Sequence, residues 1–420
     1  MRLSERDRAM LDGAFGEPAR RAMDGLVQLG EAFDASDMVD IGYAHIHAGM
    51  AMYGGDVDLI TALAAEGATM RTVVSTNIAN ADMARWQQTG APPRLAALQQ
   101  RAEAAHKALG GATCFTCTPY FAGHRPTAGM HAASIESGVT IFANSVLGAL
   151  ANRDGFFAVY AGMTGRYPRF GLHLPENRVP THHVAISAAV SGTTDFTALG
   201  YAIGAEVTDG IPFVTGLGAV PDEDELDAMG VGMATSGGVA MFVLPGVTPG
   251  FAGDAAPPAS VPQVAIGDGA IEAVYDKFCT AAVDGFDLVH LGCPHASLAE
   301  MRVYAGLLAG RRIADGVDCW VTTNRTVRSA AEAEGLLAPI EAAGARVVSD
   351  TCPMSCHFAR TCSPDPSLGV TPPTLAGVLV DSVKQAHYVR DMIQCPTLVT
   401  TSARAVESAV TGRFVPRPFR

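Results

Sequence analysis

Apolar positions along the chain follow two alternating rhythms. One is the 3.6-residue repeat of a half-buried helix, and the other is the short run of a buried strand. Residues 1–35 carry the helical rhythm twice, in SERDRAMLDG, capped by Ser4, and in PARRAMDGLVQLGEAF, and predict packing helices. A strand is expected from Met38 to Ile46, opening onto a loop with Gly49, Gly54 and Gly55. VDLITALAAEGA predicts a helix ending at Gly67, MRTVVSTNIANAD a strand with a polar turn, and 92–109 another helix. From 155 to 235 strands and helices alternate, TDFTALGYAIGAEV being a helix. FDLVHLGCPH, DCWVTTN and ARVVSDTCP read as strands, separated by the helical SLAEMRVYAGLLAG and TVRSAAEAEGLLAPIEAAG. This alternation predicts an α/β fold with parallel sheets. The Pro-, Gly- and Ala-dense stretch 245–263 is the expected linker between an N-terminal region, 1–250, and a C-terminal α/β domain, 264–420.

Composition narrows the function classes. The chain has 420 residues, 48% hydrophobic and 17% charged, enough for a large core split over two or more domains. The net charge of -13 and the lack of a basic patch speak against nucleic acid as a partner. Small anionic substrates stay open, because a few arginines and helix N-termini suffice to bind them. No apolar run is long enough to span a bilayer, and MRLSERDRAM is charged where a secretory segment would be apolar. A cytoplasmic protein without a membrane partner is expected. Its nine cysteines are then free thiols, metal ligands or catalytic groups rather than a disulfide framework.

Chemistry is densest in Cys117–Asp154, which gathers Tyr120, His124, Arg125, His131, Glu136, Asn144, Ser145, Asn152 and Arg153. It reads as an active-site loop leading into a helix and a short strand. Ser145 lacks a G-x-S-x-G elbow and is expected to donate a hydrogen bond to substrate. Glu136 fits a general base or a helix-face carboxylate. Arg125 or Arg153 could clamp a carboxylate. His45 and His47 share a strand face and suit either a metal or a polar pocket. Thr76 and Asn77 end a strand, where open α/β sheets bind ligands. Lys384 and His387 face either the same cleft or solvent.

Three cysteines share one setting. Cys117 stands in CTP, Cys293 in GCP and Cys352 in TCP, and the last two follow strands. Thiols at strand ends would converge, and three converging thiolates suit an iron–sulfur cluster with one iron left open for substrate. Ordinary burial is the competing reading for any one of them. Cys114 and Cys117 form a C-x-x-C that fits a redox dithiol or half a zinc site. Cys352, Cys356 and Cys362 cluster, and Cys356 with His357 is another possible ligand pair.

The segments CTPY, SIESGVTIFANSVLGALANRDG, GLHLPENR, DLVHLGCPHASLAEM, SDTCP and DSVKQAHY resemble the large subunit of the aconitase X family, over most of the chain from about residue 37. The resemblance implies an aconitase-like, multi-domain architecture with three-layer α/β/α domains around a cleft. It also implies a hydro-lyase that dehydrates a small hydroxy acid. Its metal ligands fall on Cys117, Cys293 and Cys352, for a [4Fe-4S] or [2Fe-2S] cluster, or a single iron where the cluster is degraded. Its substrate contacts fall on Ala48, Gly49, Met50, Thr76, Asn77, Asn144 and Ser145, with Arg125 and Lys384 as further candidates. The family's small swivel domain would be a separate subunit that brings the base, with Glu136, His45 or Ser145 in this chain as the other catalytic candidates. The loop AHIHAGMAMYGGD tilts the expected substrate toward cis-3-hydroxy-L-proline, with phosphomevalonate as the alternative. A thiol redox protein and a non-catalytic partner subunit are the readings from other classes.

Overall fold

The computed structural model describes residues 1–49, 55–282, 285–358 and 368–418. Three parallel sheets organise the chain. In the first, Val73–Thr76, Tyr43–Ile46, His131–Ser134 and Leu150–Arg153 lie side by side in that order. In the second, His182–Ile186 is flanked by Pro212–Thr215 and Gln263–Ile266. The third runs Arg346–Ser349, Asp318–Thr323, Leu288–Leu291, Val378–Val380, Thr397–Val399. Helices cross between parallel neighbours, as parallel pairing requires, and the expected multi-domain α/β architecture is the one observed. Among the described residues no helix is long and apolar enough to cross a membrane.

Two expectations are corrected. The strand expected from Met38 to Ile46 is two strands. Met38–Asp40 pairs antiparallel with Arg166–Pro168, and Tyr43–Ile46 enters the first sheet. The chain switches partners at Ile41–Gly42, where one N–H bonds Gly165 O and the next bonds His131 O. A Cβ on Gly42 would lie 2.6 Å from Met130 Sδ, so glycine permits the crossing. The stretch 245–263 is not a linker between domains in the sheet topology. It joins Pro212–Thr215 to Gln263–Ile266, both paired to the same central strand.

The second sheet is covered by helices Gly192–Val207 and Glu223–Ser236, which approach backbone to backbone. A Cβ on Gly200 would sit 2.0 Å from Met229 O, and one on Gly232 would sit 2.3 Å from Thr197 O. Backbone cannot yield as a side-chain tip can. Gly200→Ala is therefore expected to cost about 1–3 kcal/mol of stability or more, read as a lowered urea midpoint with an unchanged slope.

Candidate active site

The carboxyl ends of the first and third sheets face one another, and the three expected cysteines stand there. Each is placed by backbone events visible in the sequence. Leu288–Leu291 ends at the Gly292 turn before Cys293. Arg346–Ser349 ends before Asp350, which has φ +71°, and Cys352 follows. Cys117 lies on a segment laid along Thr76. The Thr76 hydroxyl donates to Ala112 O (3.1 Å) and accepts from Phe115 N (3.1 Å), and Thr116 N donates to Thr76 O (3.0 Å).

His295 ties these segments together. Its Nε2 donates to Thr351 O (3.2 Å), and its Nδ1 accepts from the Thr116 hydroxyl (3.2 Å). Its carbonyl accepts from the Thr118 hydroxyl (3.2 Å), and its N–H donates to Cys117 Sγ (3.3 Å). One residue beside Cys293 thus bonds the neighbours of Cys117 and of Cys352. Burial lowers the His295 pKa to about 4, so the ring is neutral, as one donating and one accepting nitrogen require.

The three thiols come within electrostatic reach of one another and of Lys384. Cys352 is buried, and Cys117 and Cys293 are partly so. Burial pushes the Cys117 thiol up to about 12 and raises Cys293 and Cys352 as well. Among the described residues no three His, Cys, Asp or Glu side chains stand at the spacing of ligands to one metal ion. Cys114 points away from this group, its thiol directed to Thr76 O at 3.7 Å, and Cys362 lies outside the described residues.

Beside the thiols lies an ion pair. Lys384 Nζ donates to Glu136 Oε1 at 2.9 Å, with side chains 13% and 22% exposed. Burial opposes both charges. Glu136, with Cys117 and Cys293, nevertheless holds the Lys384 pKa well above its ordinary value. Lys384, with the hydrogen bond from Asn77, holds Glu136 below its own. Asn77 Nδ2 donates to Glu136 Oε2 at 3.4 Å. His45 is fully buried, its Nδ1 bonded to Ser75 Oγ at 2.8 Å, and it stands beside Asn77 and Glu136. Burial drops its pKa to about 3, which keeps it neutral. Tyr388, one helical turn beyond Lys384, lies near Lys384, Glu136, Arg153 and Cys293.

Several expected contacts serve the fold instead. Asn144 is fully buried and saturated. Its Nδ2 donates to Ala151 O and Ala240 O (both 2.9 Å), and its Oδ1 accepts from Ala151 N (3.0 Å) and Arg178 (2.9 Å). Ser145 Oγ, also buried, accepts from Phe242 N at 2.9 Å. Both anchor the helical turn Ala143–Leu147 to the segment 240–242; the Asn144 side chain has little left for a substrate, whereas the Ser145 hydroxyl still has its proton to donate. Arg125 is spent on the surface in a bidentate pair with Glu223 (2.7 and 2.9 Å). Thr76 holds the Cys117 segment. Ala48 is fully buried, and Gly49 O accepts from Asn80 Nδ2 at 2.9 Å; Met50 lies outside the described residues. His295, Tyr388 and Asp227, the buried partner of Tyr120, were not singled out in the sequence. A histidine two residues after Cys293 was the signal available for the first.

Profiles of the aconitase X first, second and third domains match residues 1–176, 180–276 and 286–411. The chain belongs to the aconitase X family. It is similar to the phosphomevalonate dehydratase large subunit of Methanothermobacter thermautotrophicus, at 38% identity over 93% of this chain and 94% of that one. It is also similar to the cis-3-hydroxy-L-proline dehydratase of Pseudomonas aeruginosa, at 34% identity over 98% of this chain and 70% of that protein. The crystal structure of Thermococcus kodakaraensis aconitase X in its holo-form superposes with a TM-score of 0.83 at 26% identity, covering 97% of this chain and all of that one. These relatives place the chain among dehydratases, and their two names leave the substrate open.

Because burial keeps the three thiols protonated, metal-free chain at pH 8 is expected to react with iodoacetamide at Cys117, Cys293 and Cys352 at least about tenfold more slowly than the same cysteines in urea. Labelling of the folded chain should quicken as pH rises toward 10. Peptide mass spectrometry reads both outcomes.

Proposed function

We infer that the chain is the cluster-bearing large subunit of a hydro-lyase that removes water from a small β-hydroxy acid. The observation that carries this is the Glu136–Lys384 pair, partly buried against three thiols where two sheets meet. Three buried thiols with an N–H donor on one sulfur and a cation alongside suit an iron–sulfur group, whose sulfur ligands each bind their own iron. They suit a single ion less well, because one ion would need all three sulfurs at one centre. Cys117, Cys293 and Cys352 would hold the cluster. When bound, it supplies a Lewis acid for the leaving hydroxyl.

The chain's own residues account for the rest. Lys384 attracts the substrate carboxylate. As the carboxylate takes the ammonium, Glu136 loses the partner that depresses its basicity, and burial then raises its pKa. The substrate thereby readies Glu136 to take the proton from the carbon next to its carboxylate. The electron pair of that C–H bond forms the double bond. The proton removed and the departing hydroxide together make up the water lost. Neutral His45 and Asn77 stand beside Glu136 and orient it. Ser145, tied to Phe242 N, is left as a support in this scheme.

A small swivel-domain subunit is the inferred partner, because relatives of like length are named large subunits. Both relatives' substrates, cis-3-hydroxy-L-proline and phosphomevalonate, carry a hydroxyl β to a carboxylate and fit this chemistry.

Glu136→Gln is expected to lower kcat about 10²–10⁴-fold, with iron content unchanged, in the complex assayed by loss of water from either substrate. Purified without oxygen, the complex should contain iron and sulfide and absorb in the visible, and Cys352→Ala should lose both. A colourless, iron-free complex whose activity survives Cys352→Ala would overturn the cluster assignment.

A further inference from the structure

Phe115 and Asp350 take a backbone conformation that side chains disfavour. Their φ angles are +40° and +71°, and each stands two residues before an expected cluster ligand, Phe115 before Cys117 and Asp350 before Cys352. The turn before Cys293 is made instead by Gly292, φ +83°, and glycine turns this way without strain. A non-glycine residue persists in the left-handed region only where its surroundings hold it there. One side chain, that of Arg325, holds both.

Arg325 opens the helix Arg325–Ala333, just beyond the strand Asp318–Thr323. Its backbone N–H donates to Asp350 Oδ1 at 2.8 Å, and its Nε donates to Asp350 Oδ2 at 2.7 Å. Its Nη1 donates to Glu103 Oε1 at 3.0 Å, and Glu103 lies on the helix Pro93–Ala108. The guanidinium lies over the Phe115 ring, with Cζ 5.0 Å from the ring centroid, within the range of a cation–π contact. Phe115 is fully buried, and the His106 ring meets it edge-on with centroids 6.4 Å apart. The Asp350 backbone is tied on both sides, its N–H donating to Thr323 O at 2.8 Å and its carbonyl accepting from Ala79 N at 2.7 Å. Arg325 therefore joins the Cys117 segment to the Cys352 segment one residue upstream of His295, whose bonds go to Thr116, Thr118 and Thr351.

We propose that Arg325 is a positioning residue for the thiol centre. It fixes the strained turns ahead of Cys117 and Cys352 relative to each other, so that these two thiols stand in place before a cluster is bound. Only a guanidinium does this with one side chain, because its fork holds two carboxylates while its flat face covers a ring. The purpose of the clamp rests on the cluster-bearing reading of the thiols, whereas the clamp itself belongs to the metal-free chain.

Iodoacetamide labelling of the metal-free full chain, read cysteine by cysteine, separates such a clamp from general stability. Arg325→Gln should speed labelling of Cys117 and Cys352 at least about tenfold through local opening, while Cys293, behind its glycine turn, and the fully buried Cys319 stay within about threefold of the parent. Arg325→Lys should recover part of the protection, since the charge but not the fork or the flat face returns. Glu103→Gln leaves Asp350 bonded and should speed the same two cysteines by a smaller factor, which decides the matter if Arg325→Gln does not fold. Uniform acceleration across these cysteines, or unchanged rates at Cys117 and Cys352 in a folded variant, would overturn the proposal. In the complex with the small subunit, purified without oxygen, Arg325→Gln should release iron to a chelator about 10–100-fold faster than the parent, and equal release would also overturn it. Selective acceleration at Cys117 and Cys352 in a chain whose parent complex holds no iron would counter the cluster reading and leave the clamp standing.

Discussion

The site depends on one constraint above the rest, namely that three thiol-bearing segments from distant parts of the sequence meet and stay met. His295 satisfies it. Its two ring nitrogens and two backbone groups bond Thr351, Thr116, Thr118 and Cys117. Each bond alone contributes about 1 kcal/mol net. Removing the ring would leave the buried Thr351 O without this donor, while the Thr116 hydroxyl keeps its bonds with Thr118, and an unpaired buried carbonyl costs more than the bond gains. Neutrality is part of the design. A protonated ring would donate from both nitrogens and lose the hydrogen bond from Thr116.

The second consequence of burial is the charge state of the centre. Lys384 is the nearby cation for a cluster of groups that burial would otherwise keep neutral. It holds Glu136 ionised and draws the thiols toward ionisation. A ligand set that binds as thiolates needs a local positive charge before the metal supplies one. In the proposed function Lys384 would link cluster assembly to acid binding, because the same ammonium acts on the thiols and on Glu136.

Much of this was legible in the sequence, and for physical reasons. A cysteine before or near a proline after an apolar run marks the carboxyl end of a parallel strand, and parallel sheets put those ends on one side, so Cys293 and Cys352 could be placed together from pattern alone. Glu136 was legible as part of a polar run too crowded to be buried without partners, Asn77 as the end of a strand and His45 as one of two histidines on a strand face, whereas Lys384 fitted the cleft and solvent equally. What pattern could not show was saturation. Asn144 and Ser145 look like substrate contacts in a polar run, but their partners, Ala240 and Phe242, lie nearly a hundred residues away. Arg125 looks like an anion clamp until Glu223 is brought beside it. The stretch 245–263 has the composition of a linker, yet strand pairing is non-local and composition is not, so its leading back into the second sheet at Gln263 was hidden. The same non-locality hid His295, whose importance lies entirely in what it touches.

In the proposed reaction, the ion pair would also explain the preference for an acid. A neutral ligand entering the site would have to part Lys384 from Glu136 and leave both charges partly buried and uncompensated, a cost of several kcal/mol. An anion exchanges one partner of Lys384 for another, so the charge stays compensated while Glu136 is freed. Selectivity and activation then follow from the same exchange. In the proposed reaction, the interaction that keeps Glu136 weakly basic in the free chain is the one the substrate carboxylate would replace, which leaves Glu136 to act on the carbon next to that carboxylate.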